Sequence, residues 1–80
     1  MSFEGATQRL LQDAAMIPLG NIPNSVLRSE REAQRTSIAD ALQAGISEKA
    51  IFLALHDGRH GLPSAKLEQL IALKKESVAA

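Results

Sequence analysis

The chain contains no cysteine, tryptophan or tyrosine, and phenylalanine occurs at only two of its 80 positions. The absence of cysteine excludes disulfides, thiolate metal sites and thiol catalysis, and it is typical of a cytoplasmic protein. Because aromatic residues are so few, the core has to be built from Leu, Ile, Val and Ala, which favours helices over sheets. No apolar run reaches the ~20 residues that span a bilayer. No basic and apolar secretory signal opens the sequence, so we expect no membrane partner.

Neither sign of charge dominates, since nine basic residues balance nine acidic ones. A nucleic-acid-binding domain is usually basic, so this balance favours another kind of partner. The distribution is uneven, however, because every basic residue except Arg9 follows residue 27. Charge alone therefore does not decide between a nucleic acid and another kind of partner.

Length and composition predict one small helical domain over residues 1–80, because 45% of the residues are apolar. Its first part, residues 1–23, reads as an N-terminal helix over 2–17 followed by a connector. Prolines and a glycine break the chain in that connector. We expect the connector to be ordered, because Leu19 and Ile22 can pack against the helices.

Residues 24–77 form the second part of the predicted domain. A second helix begins near Val26, after a capping Asn24 or Ser25. Residues 28–37, RSEREAQRTS, contain a single apolar residue and offer almost no face to bury. Either the helix continues through them as a solvated helix to Ala44, or it frays and a new helix starts at Ser37. We favour one long helix.

A third helix is predicted over 48–57, capped by Ser47 and stopped by Gly58. Six consecutive apolar residues surround it, so we expect the most buried helix of the domain, centred on Ile51 and Leu55. A fourth helix then runs from Pro63 or Ser64 to about Ser77, and the three-residue tail after it is expected to fray. The predicted fold is therefore all-α, with four short helices and a C-terminal trihelical unit like a helix-turn-helix.

One spacing in the chain resembles that of a known group of proteins. Ile38, Ala41, Leu42, Gly45, Ser47, Ile51 and Leu55 give the pattern I-x-x-A-L-x-x-G-x-S-x-x-x-I-x-x-x-L. It resembles the small helix-turn-helix DNA-binding proteins of conjugative plasmids and mobile elements, of the plasmid-stability, mobilisation and transfer-regulator type. The resemblance covers the C-terminal half and implies sequence-specific binding to double-stranded DNA, often in a repressor or partition role. The family usually carries more Arg and Lys on the last helix than this chain does.

The recognition helix can be placed in two ways. The third helix would present Ser47, Glu48, Lys49, Phe52, Leu53 and His56, of which the two large apolar residues read bases poorly. The last helix would present Ser64, Ala65, Lys66, Gln69 and Ala72. We favour the last helix, because Lys can address guanine and Gln can address adenine. The N–H groups at its start could also bind a phosphate.

Further cations could anchor a DNA backbone. Arg28, Arg31 and Arg35 share one helix face and could clamp phosphates beside the last helix, although a solvated face explains them more simply. Arg59 and His60 lie in the predicted turn, where they could reach a phosphate or simply keep the turn soluble. The predicted DNA-binding set is Arg28, Arg31, Arg35, Lys49, Arg59, His60, Ser64, Lys66 and Gln69.

No catalytic constellation is visible, so we expect a non-enzymatic protein without cofactor or small-molecule substrate. His56 and His60 have metal-ligand spacing only if the helix continues, and Gly58 argues that it ends, so no metal site is predicted. The leading hypothesis is a cytoplasmic plasmid regulator or segregation factor that binds duplex DNA, as a homodimer through the first helix or as a cooperative array. The alternative is a helical protein–protein interaction module, such as an adaptor, chaperone or inhibitor.

Overall fold

A computed structural model of the chain describes residues 3–17, 19–20, 22–57 and 62–79. Among those residues the regular secondary structure is entirely α-helical. The helices are α1 (Phe3–Ala15), α2 (Asn24–Gln43), α3 (Glu48–Leu55) and α4 (Pro63–Ala79). The predicted all-α class with four helices is confirmed. Helix α2 packs most extensively against α4 and α1, so it lies between them, and α3 packs against α1 and α4.

Helix α1 buries one stripe, as its spacing predicts. Ala6, Leu10, Ala14 and Ile17 are at most 9% exposed. The helix ends two residues earlier than predicted, because the N–H groups of Met16 and Ile17 bond carbonyls three residues back and tighten the last turn. Leu19 of the connector packs against the core, as expected for an ordered connector.

Helix α2 is one continuous helix, which confirms the long-helix alternative. It begins earlier than predicted, directly after Pro23, and no side chain caps it, so the expected capping role of Asn24 or Ser25 is wrong. Its buried residues include three polar ones, Glu30, Gln34 and Ser37. The expectation of an unburied polar stretch is therefore wrong as well.

A tight turn joins α2 to α3. Gly45 has φ +88°, a left-handed conformation that favours glycine. Its N–H bonds the Leu42 carbonyl at 3.1 Å, and the Ile46 N–H bonds the Ala41 carbonyl at 3.0 Å. These two bonds are the Schellman arrangement that closes a helix end. The Ser47 Oγ then accepts a hydrogen bond from the Ala50 N–H at 3.2 Å and caps α3, as predicted.

Helix α3 buries Ile51 and Leu55 at 0% and 1% exposure, as predicted. It is not buried on every side, however, because Phe52 and Leu53 are 41% and 59% exposed. It also ends at Leu55 rather than at residue 57: the His56 N–H makes the last α-helical bond, to the Phe52 carbonyl, and the Asp57 N–H then bonds the Ala54 carbonyl three residues back at 3.4 Å.

Helix α4 starts at Pro63, as predicted, and buries Leu67 and Ile71. It continues to Ala79, which corrects the frayed end expected after Ser77. Residues 72–77 are all exposed, so good helix-forming residues rather than packing sustain this last part.

Candidate interaction surface

Arg31 does not face a ligand. Its guanidinium donates to the carbonyls of Ala14 and Ile17, the second at 2.8 Å, and to the Gln34 Oε1 at 3.4 Å. The last carbonyls of a helix have no partner within the helix, so Arg31 closes the C-terminal end of α1 from outside. This role differs from both sequence-based interpretations, the phosphate clamp and the solvated face.

The start of α4 is occupied in the same manner by Glu30. The Glu30 carboxylate accepts a hydrogen bond from the Ser64 N–H at 3.3 Å and from the Ser64 hydroxyl, at 2.9 Å to Oε2. Glu30 is 3% exposed, and its charge complements the positive end of the helix. The position where a phosphate was predicted to bind α4 is therefore taken by a carboxylate of the chain itself.

These two contacts fix which side of α2 faces each neighbour. Arg31 points to α1, whereas Glu30 points to α4. Arg28 and Arg35 lie three residues before and four residues after Arg31, so they share its side, and both are exposed. The arginines of α2 thus flank α1 and do not lie beside α4.

Lys66 also has partners within the chain. Its ammonium group donates to the Asp57 carbonyl and lies 3.5 Å from the Asp57 Oδ1, with only 12% of the side chain exposed. Of the α4 residues predicted to read bases, Gln69 is exposed, while Ser64 and Lys66 are partly buried. Glu68 is exposed next to Gln69, and its negative charge is unfavourable beside DNA phosphates.

The outward face of α3 is mixed in character. Lys49, Phe52, Leu53 and His56 are exposed, and the Phe52 and His56 rings stack with centroids 4.2 Å apart. Glu48 forms an ion pair with Arg9 of α1. The face that the first placement would turn to DNA therefore carries two exposed apolar side chains, Phe52 and Leu53, beside a single exposed lysine.

Arg59, His60 and Gly58 lie outside the described residues. The His56–His60 pair considered for a metal falls partly there too. Among the described residues, no group of three or more His, Asp or Glu side chains could hold a metal ion.

An open groove runs between α3 and α4. Ala50, Leu53 and Ala54 of α3 form one wall, and Leu70 of α4 forms the other, with His56 and Asp57 at one end. The space between these walls is ≈ 610 Å³ and is widely open to solvent. The small side chains of Ala50 and Ala54 leave space between larger ones, so the groove could hold bulky aliphatic groups from another molecule.

Two lysines mark the opposite end of this groove. Lys49 precedes Leu53 by four residues on α3, and Lys74 follows Leu70 by four residues on α4, so each shares a face with a groove leucine. The Lys74 Cε lies 3.9 Å from an ideal Cβ built on Gly45, next to the turn that enters α3. Within the part of the chain that the structure describes, neither lysine has an acidic partner.

Sequence reasoning missed the groove, although one signal for it was present. Six consecutive apolar residues, Ala50 to Leu55, cannot all face the core of an 80-residue domain from a two-turn helix. Some of that run had to stay exposed, and its exposed Leu53 lines the groove beside α4. The exposed Leu73, 62% accessible and one turn beyond Leu70, extends the same surface along α4.

Comparisons of the chain with protein-family models, with curated proteins and with solved structures give no match. In the described ranges, none of the helices combines the length and the apolar character that crossing a membrane requires. The groove and its lysines therefore have to be interpreted from their own chemistry.

Proposed function

We propose that this protein is a small helical protein–protein interaction module that binds its partner through the groove between α3 and α4. The observation that carries the proposal is the exposure of Leu53, 59% accessible, in the groove wall opposite Leu70. Full burial of a leucine side chain contributes about 1.5–3 kcal/mol, so covering the exposed 59% of Leu53 and 62% of Leu73 contributes about 2–4 kcal/mol before the cost of association.

The charges of the molecule support a protein partner over DNA. The chain is neutral overall. Arg31, a predicted phosphate contact, and Lys66, a predicted base-reading residue, are held by groups of the chain itself. Affinity for duplex DNA comes largely from neutralised phosphates, so cations that are already engaged contribute little to it.

Duplex DNA remains the second candidate, because one observation favours it. The Schellman turn at Gly45 joins α2 to α3 with the spacing of a helix-turn-helix, and Ala41 and Ile51 on either side are fully buried. The exposed Arg28, Arg35 and Lys49 are the cations that would contact phosphates in that arrangement.

Site-specific photo-crosslinking separates the two candidates. A benzophenone amino acid replaces Leu53, Arg35 or Val26 in the full chain, in cells that naturally express it. Val26 is the matched control, since it is an exposed apolar residue of α2 (44% accessible) that does not line the groove. We expect protein adducts from position 53 and none above background from position 26.

Nuclease and protease treatment identify the adducts. Nuclease-sensitive adducts from positions 35 and 53, without protein adducts, would replace the proposal with DNA binding. Mobility shifts with a random duplex pool at low salt check this independently, and we expect no shift. Equal protein labelling from positions 53 and 26 would also overturn the proposal, because the groove would then have no privileged role.

A further inference from the structure

We infer that the groove between α3 and α4 takes an amphipathic helix whose leucine-type side chains enter the groove and whose acidic residues contact Lys49 and Lys74. This inference rests on the proposed function and adds the chemistry of the partner. It follows from the shape of the groove and from charges that the described chain leaves unbalanced.

The shape of the groove points to a helix. Its walls are themselves two helices, and Lys66 contacts Asp57 near one end while Lys74 adjoins the α2–α3 turn at the other. The two walls therefore run side by side over the length of α3, which is eight residues or about 12 Å. A partner helix with large apolar residues at spacings of three and four places two or three of them along this length.

The charge of the groove is asymmetric. At one end, Asp57 is paired with Lys66. At the other end, Lys49 and Lys74 have no acidic partner among the described residues, and the positive end of α3 lies beside them. Glu48, the acidic residue nearest in sequence, is already paired with Arg9. An acidic group of the partner at this end therefore meets uncompensated positive charge.

A second copy of the chain fits this surface less well. Two copies related by a two-fold axis through the groove would exchange their ends. The Lys49–Lys74 end of one copy would then face the end that carries the neutralised Asp57–Lys66 pair of the other. The carboxylate brought to Lys49 and Lys74 would therefore be that of Asp57, whose charge is already balanced by Lys66. On α1, where a dimer face was expected, Leu10, Ala14 and Ile17 pack into the core of the chain itself and are not available to a second copy.

A displayed library of 16-residue helical peptides tests the inference with the full chain as bait. Each peptide carries leucines fixed at four positions of one face, and its flanking positions vary among Asp, Glu, Lys, Arg, Ser and Ala. We expect the selected peptides to be enriched in Asp and Glu at one end. In solution, replacing those acids by lysine should weaken binding by about fivefold, the upper end of the range for one exposed ion pair.

Variants of the chain locate the binding site. Leu53→Asp should weaken the selected peptides by more than about tenfold, because a buried leucine contact is lost. Val26→Asp is the control and should leave binding unchanged. Lys49→Glu should reverse the preference between the acidic and the lysine-substituted peptides. Lys75→Glu is the control, because it makes the same change of charge on the side of α4 opposite Leu73. It should not reverse the preference between the two kinds of peptide.

Three results would overturn the inference. One is a selection that yields no peptide sensitive to Leu53→Asp, and another is enrichment of basic or neutral ends. The third is sedimentation that shows the free chain as a dimer of twice 8.6 kDa which Leu53→Asp dissociates, since a second copy would then occupy the groove. In each case protein adducts at position 53 would still support the proposed function, whereas their absence would remove both.

Discussion

The contact between Glu30 and Ser64 gives the sharpest prediction about stability, because it joins residues 34 positions apart. Ser64→Ala removes the hydroxyl that donates to a carboxylate of 3% exposure. Hydrogen bonds to charged groups contribute about 1.5–3 kcal/mol. The Ser64 N–H still donates at 3.3 Å, so we expect a loss near the lower end, about 1.5–2 kcal/mol.

Glu30→Ala should cost more than Ser64→Ala, because it leaves the Ser64 N–H without its acceptor and also opens space beneath α2. If the two residues act mainly through each other, the double variant should lose less than the sum of the single variants. We expect a coupling energy of about 1–2 kcal/mol between them.

Urea unfolding followed by far-ultraviolet circular dichroism measures the four members of this cycle. For a domain of this size, about 1 kcal/mol corresponds to 4–8 °C in Tm, so thermal unfolding gives a second readout. Ser77→Ala is the matched control, since it changes an exposed serine of the same helix, and it should shift the free energy of unfolding by less than about 0.5 kcal/mol. A coupling energy below about 0.3 kcal/mol is the value for independent sites and would refute the interhelical cap.

Four further changes test other parts of the fold by the same unfolding measurement. Arg31→Met should cost about 1–3 kcal/mol, because the carbonyls of Ala14 and Ile17 lose the guanidinium donor, whereas Arg35→Met, at an exposed position of the same helix, should cost less than about 0.5 kcal/mol. Equal losses would show that Arg31 is not a cap. Gly45→Ala should cost about 1–2 kcal/mol, because φ +88° strains any side chain, although nothing lies closer than 3.9 Å to the added methyl group. Ser47→Ala should cost about 1 kcal/mol through loss of the α3 cap. Leu55→Ala should cost about 2–5 kcal/mol, and a loss below 1 kcal/mol would contradict its burial.

The sequence predicts the local features of this fold well. The stripe of α1, the glycine turn at Gly45 and the serine cap at Ser47 each depend on residues a few positions apart. Periodicity, left-handed glycine and capping are local effects, so a local pattern predicts them.

The role of the polar residues of α2 could not be predicted in this way. RSEREAQRTS reads as a solvated surface because its composition is polar, yet Glu30 and Gln34 are almost fully buried. They are tolerated there because their partners come from elsewhere: Arg31 reaches back 14 and 17 residues to α1, and Glu30 reaches forward to α4. The Gln34 Nε2 has no hydrogen-bond partner among the described protein atoms. A local pattern carries no information about such distant partners.

The candidate site shows the same limit for α3. Its apolar run correctly predicts the burial of Ile51 and Leu55, but the run also suggests burial of Leu53, which is exposed. Which residues of an apolar helix remain exposed depends on how many neighbours it has. Helix α3 has α1 and α4 on two sides and few contacts with α2, so one face stays open.

The helix-turn-helix spacing has a complete explanation in packing. Ile38, Ala41 and Ile51 are fully buried, and Leu55 is 1% exposed. Gly45 has the conformation that a Schellman turn needs. These positions would be required by any protein that folds α2, α3 and α4 together, whatever its surface binds. Whether a protein with this arrangement binds DNA depends instead on the exposed residues of the same helices. In this chain those residues make an apolar groove with two lysines at one end, and this surface is the basis of the proposed protein partner.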